Sequence, residues 1–420
     1  MYAISSTTRL TLTAALGALM ACGGDDTQTL DPVVGSEGSV YAISSVPSTT
    51  AGAPTISYII LTESLVGEKL PADAVLEVEG RALLASMPST QQLFVGSPSS
   101  GVVTRYDLVD GNLSESGTVN FAAQQVTAIS GYSSQLMIVS PTKGYWIGRD
   151  GRIVVWNPTA MTVDAGVDIP GMIREDPNNP GTNYTTSVSG APLQVGTTIY
   201  QFVSWDSRGG GVVTIPGSYG VIALDTTTDT VNLYLDESGC GYGRDAVFSG
   251  NYLYIATEAV GTSVNYLNPD NGPAPCLTRF DVTTNTFDTA FTKDLNALAG
   301  GPTGSMVITE DGEALVHVLD TAAADPLIAD GTYTNPRALS SASLWHAVRL
   351  EVGDSPSVVD LGLPAGPASA LPVSLGDGLR VTQVSGTPAY IREITRDGVV
   401  ATDRADATVS GFTAGIVRLR

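Results

Sequence analysis

The sequence predicts an all-β protein, and three observations carry this prediction. Of its 420 residues, 46 are Gly and 24 are Pro, while only 15% are charged, a composition that suits many short strands joined by turns. After the N-terminus, no long stretch repeats its apolar residues at the helical period. Short β-rich runs instead recur along the chain at a long interval, with turn signals between them.

The clearest strand pair lies within residues 142–164. An apolar run at 145–147 is followed by Asp150-Gly151 and then by a second run at 153–156. Asp-Gly between two β-rich runs favours a tight hairpin turn, because Gly tolerates a positive φ. Asn157-Pro158 ends the second run, and a further extended segment follows. This stretch therefore predicts a small antiparallel sheet.

The end of the second run recurs in variant form along the chain. Comparable strand ends are TRYD at 104–107, IALD at 222–225 and TRFD at 278–281, with weaker versions at 59–62, 348–351 and 417–420. Each is typically preceded by two β-rich runs and followed by one, and the turn at 225–231 closely echoes the turn at 281–287. Four antiparallel strands in each of about seven units predict a β-propeller, in which radial repetition leaves only short sheet edges. An array of two-sheet sandwiches is the alternative.

Closure of such a ring needs a strand from elsewhere in the chain. The last of the recurring strand ends coincides with the last residue, so the strand expected after it is missing. Residues 39–46 contain a spare β-rich run near the N-terminus. We therefore expect this run to complete the ring.

The N-terminus predicts export and lipid anchoring. An apolar segment at 10–18, preceded by Arg9 and too short to span a bilayer, leads into Leu19-Met20-Ala21-Cys22. This resembles the lipobox of bacterial lipoproteins, whose cysteine is acylated. We predict a signal peptide at 1–21, palmitate-type lipidation of Cys22, a flexible tether at 22–38 and one propeller domain at 39–420. The expected location is the bacterial envelope, the outer membrane in preference to the inner. An ordinary secretory signal with a chance cysteine is the alternative.

Cys240 and Cys276 are the remaining cysteines. An even pair in an oxidising compartment predicts a disulfide, which would close a loop of about 36 residues. A metal site built from two thiolates is the alternative, but the pair lacks the C-x-x-C spacing and a nearby histidine.

The formal net charge of −22 argues against a nucleic-acid partner, since phosphates would be repelled. The two histidines, His317 and His346, lie in different repeat units, and no zincin, P-loop, nucleophile-elbow or haem motif occurs. Acidic loops at 268–271 and 310–313 lack the EF-hand spacing and are predicted to be turns. We therefore predict no catalytic residue, no metal site and no cofactor.

The most unusual polar cluster is the glycine-rich bend at 239–245. It carries Tyr242, Arg244 and Asp245, which we predict to form a binding loop, with a purely structural role as the alternative. Insertions that could also shape a binding face lie at 174–181, 262–275 and 322–343. Propellers commonly bind ligands at the axial mouth, although this expectation comes from the fold alone.

The run Thr142-Lys143-Gly144-Tyr145, with 153–161, 58–65 and 104–107, also carries a family resemblance. Together with the lipobox, these segments resemble the myxobacterial lipoproteins encoded with myxochelin-type siderophore clusters. The resemblance covers roughly the first half of the body and implies an envelope role near iron or siderophore handling. It supplies no ligand residues.

Two functions from different classes remain. The first is a non-catalytic envelope lipoprotein that binds a siderophore, a metal ion or an envelope protein. The second is a propeller hydrolase or lyase with an axial active site. The second needs histidines, carboxylates or a metal that converge at the axis.

Overall fold

The strands assemble into seven sheets, which radiate from one axis as the blades of a β-propeller. The structure, a computed structural model, describes residues 32–47, 55–309, 312–369, 371–384 and 388–420. The predicted fold class is confirmed, and the alternative of a sandwich array is excluded. Cys22 and the predicted signal peptide lie outside the described residues. No helix in the part of the chain that is described is long and apolar enough to cross a membrane.

The first four blades take up the N-terminal half. The opening strands are β1 (Tyr41–Val46), β2 (Ile56–Thr62), β3 (Leu65–Lys69) and β4 (Ala74–Glu79). Blade 2 contains β5 (Leu83–Met87), β6 (Gln92–Gly96), β7 (Val102–Val109) and β8 (Asn112–Asn120). Blade 3 contains β9 (Leu136–Ser140), β10 (Lys143–Ile147), β11 (Arg152–Asn157) and β12 (Thr162–Asp168). Blade 4 contains β13 (Thr185–Ser187), β14 (Leu193–Val195), β15 (Thr198–Asp206), β16 (Gly220–Asp225) and β17 (Thr230–Leu235).

The remaining blades follow in chain order. Blade 5 contains β18 (Gly243–Ser249), β19 (Tyr252–Thr257), β20 (Cys276–Asp281) and β21 (Thr286–Asp294). Blade 6 contains β22 (Thr303–Ile308), β23 (Ala314–Leu319), β24 (Trp345–Glu351) and β25 (Ser357–Asp360). Blade 7 contains β26 (Pro372–Ser374), β27 (Arg380–Val384), β28 (Ala389–Thr395), β29 (Gly398–Val400) and β30 (Ala405–Val409), and β31 (Phe412–Arg418) ends the chain.

Short helices interrupt the blades. The α-helices are α1 (Ala259–Leu267), α2 (Leu295–Ala299), α3 (Thr321–Ala329) and α4 (Pro336–Ser340). Single 3-10 turns occur at Pro71–Asp73, Pro88–Thr90, Ala122–Gln124, Ser133–Gln135, Gly209–Gly211 and Pro269–Asn271. The sequence analysis predicted insertions at 262–275 and 322–343. These segments contain the end of α1, all but the first residue of α3, and the whole of α4.

The predicted hairpin at 142–164 is confirmed. Strands β10 and β11 pair antiparallel, with Tyr145 opposite Val155. Gly151 adopts a φ of 83°, the left-handed conformation that the Asp-Gly turn requires.

The recurring strand ends occupy the same place in six blades. They fall in β2, β7, β11, β16, β20 and β24, each the third strand outward from the axis. The strand end predicted at 417–420 is the exception, because it belongs to the end of β31, the innermost strand of blade 1. The third strand of blade 7 is β28, which the sequence analysis missed. Alternating apolar residues indicate a strand but not its distance from the axis. The pattern at 417–420 therefore fits an innermost strand as well as a third strand.

Blade 1 closes the ring with both ends of the chain. Strand β1 lies between β31 and β2, and Ile43 pairs with Ile416 on one side and Ile60 on the other. The expected closure by residues 39–46 is therefore confirmed. Strand β3 leaves blade 1 and pairs in parallel with β30 of blade 7, which adds a second link across the same interface.

Residues 32–38, the described end of the predicted tether, contact the propeller. Val34 is buried and donates its backbone N–H to the Gly111 carbonyl at 3.2 Å. The Arg420 guanidinium donates to the carbonyls of Gly35 and Gly38 at 2.8 and 2.7 Å. This end of the predicted tether is thus held against blades 1 and 2.

Candidate binding site at the axial mouth

The segments that lead into the innermost strands meet at one end of the axis. Arg81 lies just before β5, Tyr132 before β9, and Phe412 begins β31. These residues line one cavity of about 310 Å³ together with Ser187, Ser189, Tyr242, Arg244, Glu258, Val260, Arg337, Ser340, Ser341, Ser369 and Leu371. Residues more than 300 positions apart in the sequence thus line one cavity, which we call the axial mouth.

A buried ion cluster forms one side of the mouth. The Arg244 Nε lies 2.6 Å from Asp245 Oδ2, and its Nη1 lies 3.1 Å from Glu258 Oε1. The side chains of both carboxylates are only 3% exposed. Burial by itself lowers the pKa of Arg244, but the two carboxylates outweigh burial and raise it. Arg244 is therefore a fixed cation.

Glu258 has a second role, which positions this cluster. Its Oε2 accepts a hydrogen bond from the Val260 backbone N–H at 2.7 Å, so that Glu258 caps the N-terminus of α1. The other carboxylate oxygen is then directed at Arg244. Helix α1, which follows β19 directly, thereby fixes the acid that holds the arginine.

A second polar cluster joins blades 4, 5 and 6. The Tyr242 hydroxyl donates to Asp206 Oδ2 at 3.1 Å, and Arg337 Nη2 lies 3.3 Å from the same oxygen. Burial, followed by the Asp206 charge, raises the pKa of Tyr242, so its hydroxyl stays protonated. Arg208 Nε pairs with the other Asp206 oxygen at 2.7 Å. Because 43% of the Arg337 side chain is exposed, its guanidinium can also meet a ligand.

Arg81 and Tyr132 also line the mouth. The Arg81 guanidinium lies 4.4 Å from the centre of the Phe412 ring, a cation–π contact. Among the described residues, Arg81 makes no ion pair or hydrogen bond through its side chain. Arg81 thus presents an uncompensated positive charge to the mouth.

Beyond the mouth, the axis continues as an apolar channel. Its lower part is a cavity of about 350 Å³ whose walls include Leu84, Leu136 and Ile308. Arg380 also lines this cavity, and burial lowers its pKa. Within the described ranges, Arg380 has no carboxylate partner, so the far end of the channel carries a second uncompensated cation.

The structure places the predicted binding loop at the mouth. Tyr242 and Arg244 form part of its wall, whereas Asp245 lies behind Arg244 and faces the lower channel. The insertion at 322–343 contributes Arg337 through α4, but the insertion at 174–181 contributes none of the lining residues. Ligand binding by this loop stays a prediction.

Sequence reasoning missed Arg81, Tyr132 and Arg337. Each lies alone in its own segment, with no neighbouring polar cluster to distinguish it from a surface residue. One signal was present for Arg337, since it lies in the insertion at 322–343 that the sequence analysis named. Only a correct assignment of innermost strands would have brought them together.

The predicted disulfide is confirmed. Cys240 and Cys276 are bonded, with Cα atoms 5.9 Å apart. Cys240 precedes β18 and Cys276 begins β20, so the bond fastens the bend that carries Tyr242 to the third strand of blade 5.

Neither histidine lines the mouth. His317 is buried in β23, and His346 Nδ1 is hydrogen-bonded to the Leu363 carbonyl at 3.1 Å. Within the described part of the chain, no three His, Cys, Asp or Glu residues are grouped to hold a metal ion. In the acidic loop at 268–271, Asn268 caps the 3-10 turn by accepting from the Asp270 N–H.

Comparisons with known proteins reveal a likeness of fold. No family model matches the sequence, and no curated protein matches it. A proposed 6-phosphogluconolactonase from Bacteroides fragilis is 11% identical, with a TM-score of 0.50 over 91% of this chain and 98% of its own. A second, from Bacteroides uniformis, is 10% identical, with a TM-score of 0.50 over 90% and 99%. BamB from Moraxella catarrhalis is 10% identical, with a TM-score of 0.40 over 82% and 80%. At these identities the likeness extends to the fold alone.

Proposed function

We propose that this protein is a non-catalytic binding protein of the bacterial envelope, and that its axial mouth binds a small anionic ligand. The clustering of guanidinium groups is the observation that supports this most. The chain has 20 basic and 42 acidic residues, yet Arg81, Arg244 and Arg337 line one cavity. A guanidinium presents its N–H groups in a planar fork that fits a carboxylate or phosphate.

The charges at the mouth leave room for an anion. Glu258 and Asp206, the acids nearest the mouth, are each already paired with an arginine. Arg81 has no such partner among the described residues, and Arg337 shares Asp206 with Arg208. An incoming carboxylate would therefore meet two available guanidinium groups and no unpaired acid.

The remaining wall suits a ligand that also has hydroxyl groups. Five serines line the cavity, namely Ser187, Ser189, Ser340, Ser341 and Ser369. Serine hydroxyls both donate and accept hydrogen bonds, so they can pair with ligand hydroxyls of either orientation. Tyr132 supplies an aromatic ring beside them. A cavity of about 310 Å³ lies at the small end of the range for ligand pockets.

The lipobox and the family resemblance supply the cellular setting of this proposal. Acylation of Cys22 would hold the propeller at the envelope, where siderophores and their ferric complexes pass. Anionic ferric siderophores and hydroxycarboxylates are therefore the first candidate ligands. A metal ion would arrive as such a complex.

Isothermal titration of the full chain in detergent tests this proposal. The probes are a ferric catecholate siderophore, citrate and inorganic phosphate. We expect at least one to bind at a ratio of one to one, and Arg337→Gln to weaken it by about tenfold or more, because a charged hydrogen bond is lost. Arg152→Gln, which removes a partly buried arginine away from the mouth, is the matched control and should bind as the wild type does.

Two results would overturn the proposal. If no probe binds at millimolar concentration, the axial mouth is not an anion-binding site. Conversion of a bound probe into product would instead favour the hydrolase or lyase alternative.

A further inference from the structure

In the described part of the chain, the interface between blades 6 and 7 has fewer buried apolar residues than any other interface between neighbouring blades. Within the described residues, each of the other six interfaces holds a cluster of eleven to thirteen buried apolar residues. The interface of blades 6 and 7 holds only Val307, Leu315 and Ile394. Nearer the axial mouth, described residues of the two blades line a cavity instead.

A cavity of about 260 Å³ occupies the gap. Its walls are mostly apolar, and include Trp345 and Ala347 of blade 6, Leu363 and Pro364 of the connecting loop, and Val399 of blade 7. An apolar cavity of roughly 150 Å³ in another protein stays dry and binds benzene. This cavity is larger and has a similar chemical character, so it has room for one or two rings.

Two contacts link the elements on either side of the cavity. Glu313 of blade 6 lies 3.3 Å from the Arg396 guanidinium of blade 7. Leu363 packs so closely on Gly398 that a side chain at that position would collide with it. These contacts connect the two blades beside the gap, and the walls of the gap lack packing partners unless a molecule fills it.

Among the described residues, two polar atoms of the lining side chains have no hydrogen bond, His317 Nδ1 and Arg392 Nε, and the second lies 3.6 Å from Asp406 Oδ1. His317 lines the cavity and is 4% exposed, and its Nδ1 has no hydrogen bond among the described residues. Burial lowers the pKa of His317 to about 4, so the ring is neutral at pH 7 and one of its nitrogens can accept a hydrogen bond. A buried acceptor without a donor is costly, and a ligand that donates would remove that cost.

We propose that this cavity, which we call the seam pocket, binds a small apolar molecule of one or two rings that carries a hydrogen-bond donor for His317. The seam pocket is separate from the axial mouth and does not depend on the function proposed for it. Its ligand differs in class, since the walls of the seam pocket are mostly apolar, with Arg392 already paired to Asp406, and His317 is a neutral acceptor.

Phenol and toluene are matched probes, because they differ only in a hydroxyl and a methyl group. Both are titrated into the full chain in detergent by ligand-observed NMR. We expect both to bind, with phenol about fivefold tighter through its hydrogen bond to His317. His317→Leu should retain toluene binding and remove the advantage of phenol.

Two further variants locate the binding. Ala347→Leu extends a side chain into the seam pocket, and we expect it to weaken both probes by about tenfold or more while the melting temperature holds or rises. Arg337→Gln, at the axial mouth, should leave both probes unaffected. The proposal is overturned if neither probe binds at about 10 mM, if Ala347→Leu binds them as well as the wild type, or if phenol keeps its advantage in His317→Leu.

Discussion

Arg244 shows how single residues shape the mouth of this propeller. Its guanidinium is almost buried, which would be costly for an isolated charge, and two carboxylates at 2.6 and 3.1 Å neutralise it. The same contacts leave Arg244 unable to rotate away from the mouth. The bend at 239–245 was predicted as a candidate site because an aromatic, a cation and an acid are adjacent in it. Glu258, which completes the cluster, is distant in sequence and could not be predicted.

Removal of this arginine should destabilise the protein strongly. Arg244→Met leaves Asp245 and Glu258 buried without a cation, and we expect a loss of about 3–5 kcal/mol in the free energy of unfolding. Arg152→Met is the control, because Asp168, its partner at 2.7 Å, is largely exposed; it should cost less than about 1 kcal/mol. Chemical denaturation measures both. Equal losses in the two variants would show that the buried ion cluster contributes no more to stability than the ion pair of Arg152 and Asp168.

His317 predicts a pH dependence of stability. Burial lowers its pKa to about 4 in the folded protein, against about 6.5 in an unfolded chain. Between these values the unfolded state binds a proton that the folded state does not, so the free energy of unfolding falls as the pH drops from 6.5 towards 4. The loss amounts to about 3 kcal/mol and grows no further below pH 4.

His317→Gln isolates this contribution, because carboxylates also titrate in the range. As the pH falls from 7 to 4, the free energy of unfolding of the wild type should decrease by more than that of His317→Gln. A difference that stays constant over this range would contradict the buried neutral histidine.

At the scale of elements, one turn recurs between the third and fourth strands. In blades 4 and 5, Asp225 and Asp281 accept hydrogen bonds from backbone N–H groups two and three residues on. Asp229 and Asn285 then adopt positive φ values of 57° and 55°. The sequence echo of 225–231 and 281–287 predicted these turns, because local side chain–backbone hydrogen bonds determine them.

The same turns also fasten neighbouring blades, which the sequence did not indicate. Lys143 of blade 3 lies 2.8 Å from Asp229 Oδ1, and Tyr145 donates to the same oxygen at 2.5 Å. In the next blade, the Tyr200 hydroxyl donates to Asn285 Oδ1 at 3.2 Å. These contacts join residues more than 80 positions apart, and no local pattern encodes them.

The disulfide acts at this scale on the loop that carries the site. The double variant Cys240→Ser/Cys276→Ser should lose about 3–4 kcal/mol in the free energy of unfolding, since the bond closes a loop of 36 residues. We also expect faster hydrogen exchange at 237–245, because the bend loses its attachment to β20. Denaturation and exchange mass spectrometry measure the two effects. Unchanged exchange in this segment would show that the bend does not need the bond.

At the scale of the whole molecule, ring closure brings the site together. Six of the seven third strands were predictable, because each ends in a polar turn signal. The innermost position of β31 was not predictable. Val417 and Leu419 alternate with arginines, and this alternation is common to strands at every position in a blade. Arg81 and Arg337 line the same cavity only because the ring closes, so the axial mouth could not be predicted from the sequence.

A truncation pair tests the closure. Deletion of residues 1–46 removes β1 and leaves β31 and β2 without their shared partner, and we expect loss of cooperative unfolding. Deletion of residues 1–31 spares β1 and every contact described above, and this control should unfold as the full chain does. Circular dichroism during heating distinguishes them. A cooperative transition at an unchanged temperature in the longer deletion would contradict closure by β1.

The central claim is that the axial mouth binds the ligand, and hydrogen–deuterium exchange tests it most directly. The full chain is compared with and without the probe, among a ferric catecholate siderophore, citrate and phosphate, that binds tightest. The account predicts protection concentrated in the segments before the innermost strands and in α4, namely residues 79–84, 130–136, 186–191, 239–245 and 335–341. Protection confined to the outer strands, or absent from all of these segments, would contradict the account.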